Sequence, residues 1–375
     1  MDQNQRTFNI YVFLSTFARS LIETFIGTIL YKAGFSLHQV ILYYVLVNLF
    51  SLILSYPCIK LSKDYSNRVL AFIGIISFII LQITLNHIVV NYYYLVLCSF
   101  LFGTYRRGYW ISRRYYNLKV IKKHNIASTY SIISIVNQLS VIFASYIGSL
   151  LLDFISIKAL TIISILLFII SVLFLYHLHF EHEKNNEKIN LFKTIKKMPF
   201  QNIYLFASYE LLNVVKFFIP LYLFINVKDN YQTIGLLQLI SNLATLIFAY
   251  LYGKKINNNK NYLSLSIVFT VLVFLAKVNI TTSLLFLVSF LEGIATKMYE
   301  LSINKYFYEF SKKFEYYNYN LVYELAQNLL RFIVTFVIYL FIKDLQTMVY
   351  FSLLFMIIAI PINFKEIKNK DYKVK

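Results

Sequence analysis

The chain has 375 residues, 59% of them hydrophobic and only 14% charged, with a mean hydropathy of +0.62. A soluble domain carries about a quarter charged residues, so a soluble globular protein is excluded. The formal charge of +19 comes mostly from 28 Lys, against 8 Arg. The lysines sit in short loops between apolar runs, the pattern of membrane topology and not of a nucleic-acid-binding face.

Twelve apolar runs follow one another, near residues 8–31, 39–59, 69–89, 92–112, 126–152, 157–178, 202–225, 233–253, 262–279, 282–303, 320–342 and 346–364. Each suits a helix crossing a hydrocarbon core of ~30 Å. The expected fold is therefore all-α and integral to the membrane, with twelve transmembrane helices in two six-helix pseudo-symmetric halves. The first run is long and lacks a cleavage site, so it reads as an uncleaved first span. Cys58 and Cys98 lie inside apolar runs without metal-ligand spacing, and no disulfide is expected.

The longest polar stretch, FEHEKNNEKINLFKTIKKMPF, divides the runs into two groups of six. The expected organisation is an N-terminal half over 1–179, a cytoplasmic linker over 180–200 and a C-terminal half over 201–375. The linker reads as a tether able to lie as a helix on the inner leaflet. One set of loops is rich in basic residues (Lys60, Lys63 and Arg68; Lys119, Lys122 and Lys123; Lys184, Lys188, Lys193, Lys196 and Lys197; Lys254, Lys255 and Lys260; Lys312 and Lys313; the tail Lys365 to Lys375). The opposite set carries only Lys32, Lys158, Lys228, Lys277 and Lys343. The rich side is expected to be cytoplasmic. That makes a multi-pass protein of the cell membrane with both termini inside.

The halves repeat. Residues 9–30 align without gaps on 202–223 with eight identities, and 99–118 align on 289–308 with seven. At the second offset Asn137–Gln138 falls on Gln327–Asn328. Six spans per half keep both halves in one orientation, the parallel-repeat arrangement of certain transporters.

Charges inside the spans are costly and usually face a cavity or one another. Span one offers Arg19 and Glu23, and span five Asn137 and Gln138. Span four carries Arg106, Arg107, Trp110, Arg113 and Arg114 within about 120° of arc. Span seven offers Glu210, Asn213 and Lys216. Span ten places Thr296, Lys297, Glu300 and Asn304 on one face, and span eleven places Glu324, Gln327, Asn328 and Arg331 together. Six of the eight arginines lie in or at the ends of apolar runs. A guanidinium stays charged when desolvated and grips a carboxylate or phosphate with two parallel bonds, so this interior suits an anionic group. Arg113 and Arg114 read as interfacial anchors. Arg106 and Arg107 read either as substrate contacts or as partners of Glu23, Glu300 or Glu324. Arg19 is placed to pair with Glu23 one turn away, and Trp110 is either packing or a ligand platform.

The stretch KLSKDYSNRV, residues 60–69, resembles the G-x-x-x-D-R-x-G-R-R signature between spans two and three of the major facilitator superfamily. Asp64 and Arg68 match, while Lys60, Tyr65, Asn67 and Val69 depart. The second half has GKKINNNKNY, where Gly253 matches and Asn257 replaces the Asp. Span four has Ser99 four residues before Gly103, where proton-driven drug exporters carry Arg. Span five reads ASYIGS, with Gly148 and no Pro. The resemblance implies a divergent member, away from the standard proton–drug antiporter pattern. It implies that spans one, four, seven and ten line a central cavity, with five and eleven contributing, and that three, six, nine and twelve face lipid. It also implies a conformational latch at Asp64 and Arg68.

The expected function is secondary active transport of a polar, anionic or zwitterionic small molecule by alternating access, with efflux favoured over uptake. Substrate contacts fall to Arg19, Arg106, Arg107, Trp110, Lys297, Asn137, Gln138, Gln327 and Asn328. Charge pairing or proton coupling falls to Glu23, Glu210, Glu300, Glu324 and Arg331. No cofactor, metal or catalytic set is expected, and no P-loop, zinc motif or nucleophile constellation occurs. The expected partners are the substrate, protons and the lipid bilayer, with a monomeric chain. Two rivals are a flippase for a lipid-linked saccharide or anionic lipid, and a non-transporting sensor or immunity protein with a transporter fold.

Overall fold

The structure is a computed structural model that describes residues 3–120, 126–178, 189–227, 230–252, 262–280, 284–311 and 315–361. Several residues named above lie outside these: Lys122, Lys123, Lys184, Lys188, Lys228, Gly253, Lys254, Lys255, Asn257, Lys260, Lys312, Lys313 and the tail Lys365 to Lys375. The described residues are helical, without strands. The first span is α1 (Gln3–Ser20), a 3-10 turn at Glu23–Phe25 and α2 (Ile26–Lys32). It is followed by α3 (Leu37–Asp64), α4 (Asn67–Leu85), α5 (Tyr92–Val120), α6 (Ile126–Phe154) and α7 (Ile157–Tyr176). After the short α8 (Leu191–Lys197) come α9 (Phe200–Tyr209), α10 (Leu211–Asn226), α11 (Tyr231–Tyr252), α12 (Tyr262–Asn279), α13 (Leu285–Ser311), α14 (Tyr316–Phe341) and α15 (Leu345–Ile357).

Among the described residues, eight segments are long and apolar enough to cross a membrane, Gln3–Lys32 and Phe200–Asn226 included; Leu263–Asn279 and Leu345–Pro361 are shorter apolar helices. Helices α5 and α13 reach 29 and 27 residues, and both carry charges that turn to the interior. Several helices outrun their apolar runs, α5 ending at Val120 rather than near residue 112. The polar residues that end such a run turn inward, so hydropathy stops before the helix does.

Turn chemistry sets the boundaries. Gly34, at φ 105°, ends α2, and Phe35 N–H closes back on Leu30 O at 3.2 Å. Ser36 and Gln39 then form a capping box that starts α3. Ser66, Ser156 and Asp344 cap α4, α7 and α15. Two expected single spans are broken. The first is interrupted after Ser20, and the seventh at Glu210 between α9 and α10. Neither break falls at a Gly or Pro.

Helices α3 and α14 pack along each other, as do α6 and α11, so each pair joins the group α1–α7 to the group α9–α15. The outer faces are apolar. Phe72, Ile76, Ile80 and Ile83 of α4, Ile162, Leu166, Ile169 and Leu173 of α7, and Leu265 and Leu272 of α12 are all exposed. Such faces suit hydrocarbon. Where α4 meets α5, a Cβ on Gly108 would stand 2.7 Å from Leu70 O, so the two backbones touch through glycine. The interior is polar instead: Arg107 and Arg331 rank among the largest fully buried side chains.

The chain crosses back and forth, so the connections fall at two ends. The near end carries the 64–67 and 311–316 connections, and the far end those at 33–36, 154–157 and 226–231. At the near end, α8 is tied to α14 by Asn190 N–H donating to Asn318 Oδ1 at 2.7 Å.

Candidate functional site

A cavity of about 430 Å³ lies between the two groups, walled by α1, α5, α6, α10, α11, α13 and α14. Span four supplies one side. Arg106, Arg107, Trp110, Arg113 and Arg114 all reach the cavity, because spacings of three, four and seven residues return to one helical face. Arg19, Glu23, Asn137, Gln138, Glu210, Glu300, Gln327 and Arg331 also line it.

Each lining carboxylate has a cation. Arg19 Nε lies 3.1 Å from Glu23, Arg331 3.2 Å from Glu210, and Lys297 2.8 Å from Glu300. Lys277 pairs with Glu292, both buried. Glu324 sits just behind the wall, fully buried, and pairs with Arg107 through one oxygen and Arg114 through the other. Burying an ion costs several kcal/mol unless it is paired, which accounts for this arrangement.

Three cations do not fit it. Arg106 is 7% exposed and donates to Asn48 Oδ1 at 3.2 Å, with no carboxylate in ion-pair range among the described residues. Arg113 is 4% exposed and, among the described residues, donates to neutral groups only: Thr16 Oγ1 at 3.3 Å, Tyr109 Oη at 2.8 Å and Asn137 Oδ1 at 2.8 Å. Lys216 of α10 lines the cavity but is exposed, and its ammonium has no ion pair or hydrogen bond among the described residues.

The expected interfacial anchors need correction. Arg113 and Arg114 turn into the interior, because α5 continues past the apolar run and buried acceptors await them. Lys297 and Asn328 lie behind the cavity wall. The ammonium of Lys297 is taken by Ser134 and Glu300, and Asn328 donates to Ser55 Oγ at 3.0 Å and accepts from Arg331. Lys277 is not a loop lysine: it lies in the last turn of α12, buried against Glu292. Trp110 is half-buried on the wall, with the guanidiniums of Arg19 and Arg113 at 5.1 and 5.2 Å from its ring centre. Arg68 donates to Leu178 O, tying α4 to the end of α7, while Asp64 is exposed and has no ion pair among the described residues.

Sequence reasoning missed Glu292 and the polar face of α11. Gln238, Ser241, Asn242 and Thr245 line the cavity, and their spacing of three, four and seven was the available signal.

Polar contacts join the two groups at both ends. At the near end these are the Glu324 pairs and Arg114 to Asn320 Oδ1 at 3.4 Å. At the far end the Asp153 carboxylate of α6 accepts from Tyr231 N at 3.3 Å and Gln232 N at 2.6 Å, capping α11. Tyr44 donates to Asn213 O at 2.9 Å and stacks on Phe217 at 3.9 Å.

The sequence model of the Major Facilitator Superfamily matches residues 8–335. A sequence search of curated proteins finds no match. Among solved structures the chain resembles the nucleoside transporter NupG, in a mutant form, at TM-score 0.68 and 16% identity, covering 97% of this chain and 99% of that one. It also resembles a bacterial homologue of the iron transporter ferroportin in an outward-facing state, at TM-score 0.72 and 11% identity with the same coverage. At these identities the likeness is one of fold.

Proposed function

Because the chain belongs to the major facilitator superfamily and is a multi-pass membrane transport protein, we propose that it is a secondary transporter of a small molecule carrying negative charge. The groups α1–α7 and α9–α15 would rock about the cavity and open it to one side at a time. The observation that carries this reading is that Arg106 and Arg113, both buried, and Lys216, exposed to the cavity, have no carboxylate partner among the described residues. A buried cation left uncompensated by the protein is a place for an anion from outside it. Glu23, Glu210 and Glu300 line the same cavity, each paired with a cation. They are the proposed proton carriers, exchanging a proton when the partner cation turns to the substrate.

The test is uptake into proteoliposomes of labelled phosphate, succinate, lactate and glycine, with and without a pH gradient. The reading expects saturable uptake of an anion that responds to the gradient and is lost in Arg106→Gln. Absence of uptake for every solute, or wild-type uptake in the variant, would contradict it.

A further inference from the structure

We infer that the substrate is an organic dianion, a phosphate monoester or a dicarboxylate. This rests on the transporter reading and narrows it.

Charge balance around the cavity carries the argument. Glu23, Glu210, Glu292 and Glu300 pair with Arg19, Arg331, Lys277 and Lys297 respectively. Among the described residues what remains is Glu324 paired with two guanidiniums, and Arg106, Arg113 and Lys216 with no ion pair. The first leaves one positive charge in surplus, and the other three leave one each. Lys216 is exposed to the cavity, while the other three surplus charges are buried, and a monoanion would leave most of those three uncompensated in a low-dielectric interior, which is costly. A zwitterion would remove none of it.

Placement agrees with a molecule larger than a simple ion. Arg106 and Arg113 stand two turns apart on one face of α5, about 10 Å along the axis. Lys216 faces the same cavity from α10. A compact anion can engage one of these sites. An organic solute with charge at one end and hydroxyl or carboxylate groups at the other can span the face. The amides of Asn137, Gln138, Gln238 and Asn242 offer hydrogen bonds to its uncharged part.

The test is ligand-dependent melting of the full-length protein in nanodiscs. The probes are glycerol 3-phosphate and succinate as dianions, lactate as a monoanion, glycine as a zwitterion and glycerol as a neutral control. A dianion at a hundredfold excess over its Kd should raise Tm by about 4 °C, and its affinity should fall as NaCl rises. Which of the two responds distinguishes phosphate from carboxylate recognition. Lys216→Gln and Arg106→Gln should each weaken binding by roughly 10- to 100-fold. Lys216 has no hydrogen bond or ion pair to lose among the described residues, so its variant reports on the ligand even where an arginine variant folds poorly.

Glycine, glycerol or lactate raising Tm while both dianions do not would overturn the inference and leave the transporter reading intact. Dianion binding unaffected by Lys216→Gln, Arg106→Gln and salt would overturn it also. Failure of the transporter reading itself shows elsewhere, as an absence of exchange between the two ends of the cavity.

Discussion

Arg107 of α5 and Glu324 of α14 form an ion pair between the two helix groups, with side chains 2% and 0% exposed. Arg114, two turns along α5, takes the other carboxylate oxygen. One carboxylate thus holds the near end through two arginines. Glu324→Gln strands both guanidiniums, and breaking such a buried pair costs about 3–5 kcal/mol. The variant should melt lower and open at the near end. Arg107→Gln should be milder in both respects, because Arg114 still satisfies Glu324. Thermal melting with near-end spin-label distances checks this, and a wild-type distance in Glu324→Gln would refute the gate.

The far end has a counterpart in Asp153, which caps α11 from the end of α6. A carboxylate at a helix N-terminus contributes up to ~2 kcal/mol in a partly buried setting. Asp153→Ala should release the far end and shift the population opposite to Glu324→Gln. Cysteine accessibility at the two ends reads the direction. A shift of the same sign in both variants would show that the contacts do not oppose one another.

Arg106 and Arg107 are neighbours in sequence with separate fates. Arg106 donates to the neutral Asn48, while Arg107 carries the inter-group pair. Arg106→Gln should fold, insert and lose at least roughly tenfold in anion affinity. The loss in Arg107→Gln should appear first in stability. Binding and melting measured on the two purified variants separate the roles.

Asp344 provides a pH-dependent contribution outside the spans. Its carboxylate accepts from Thr347 N at 2.7 Å, and this backbone hydrogen bond, foremost, lowers its pKa from the ordinary carboxylate value. A depressed carboxylate stabilises the fold above its unfolded pKa, and that contribution is lost as pH falls through the folded value. Asp344→Ala should cost about 1 kcal/mol at neutral pH. Asp344→Asn keeps a cap and should flatten this part of the acid limb, as melting from neutral pH down through the carboxylate range will show.

Much of the interior was legible because charge in an apolar run has few physical excuses. Arg106 and Arg107 of span four, the Glu23 and Arg19 spacing and the polar face of span eleven pointed to the cavity that the structure contains. What escaped depended on partners distant in sequence. Lys277 looked like a loop lysine, and only Glu292 on the next helix explains its burial. Arg113 and Arg114 looked interfacial because the apolar run ends before them, while Asn137 and Glu324 await them across the bundle. The break after Ser20 has no Gly or Pro to announce it.

The most direct measurement is a pair of distances in one preparation, with spin labels at Lys60 and Glu315 across the near end and at Ile155 and Asn226 across the far end. All four positions are exposed. The account predicts two populations at each end whose weights change in opposite senses when Glu324→Gln or Asp153→Ala is introduced. Distances that stay single at both ends in every variant, or that lengthen together, would contradict alternating access in this protein.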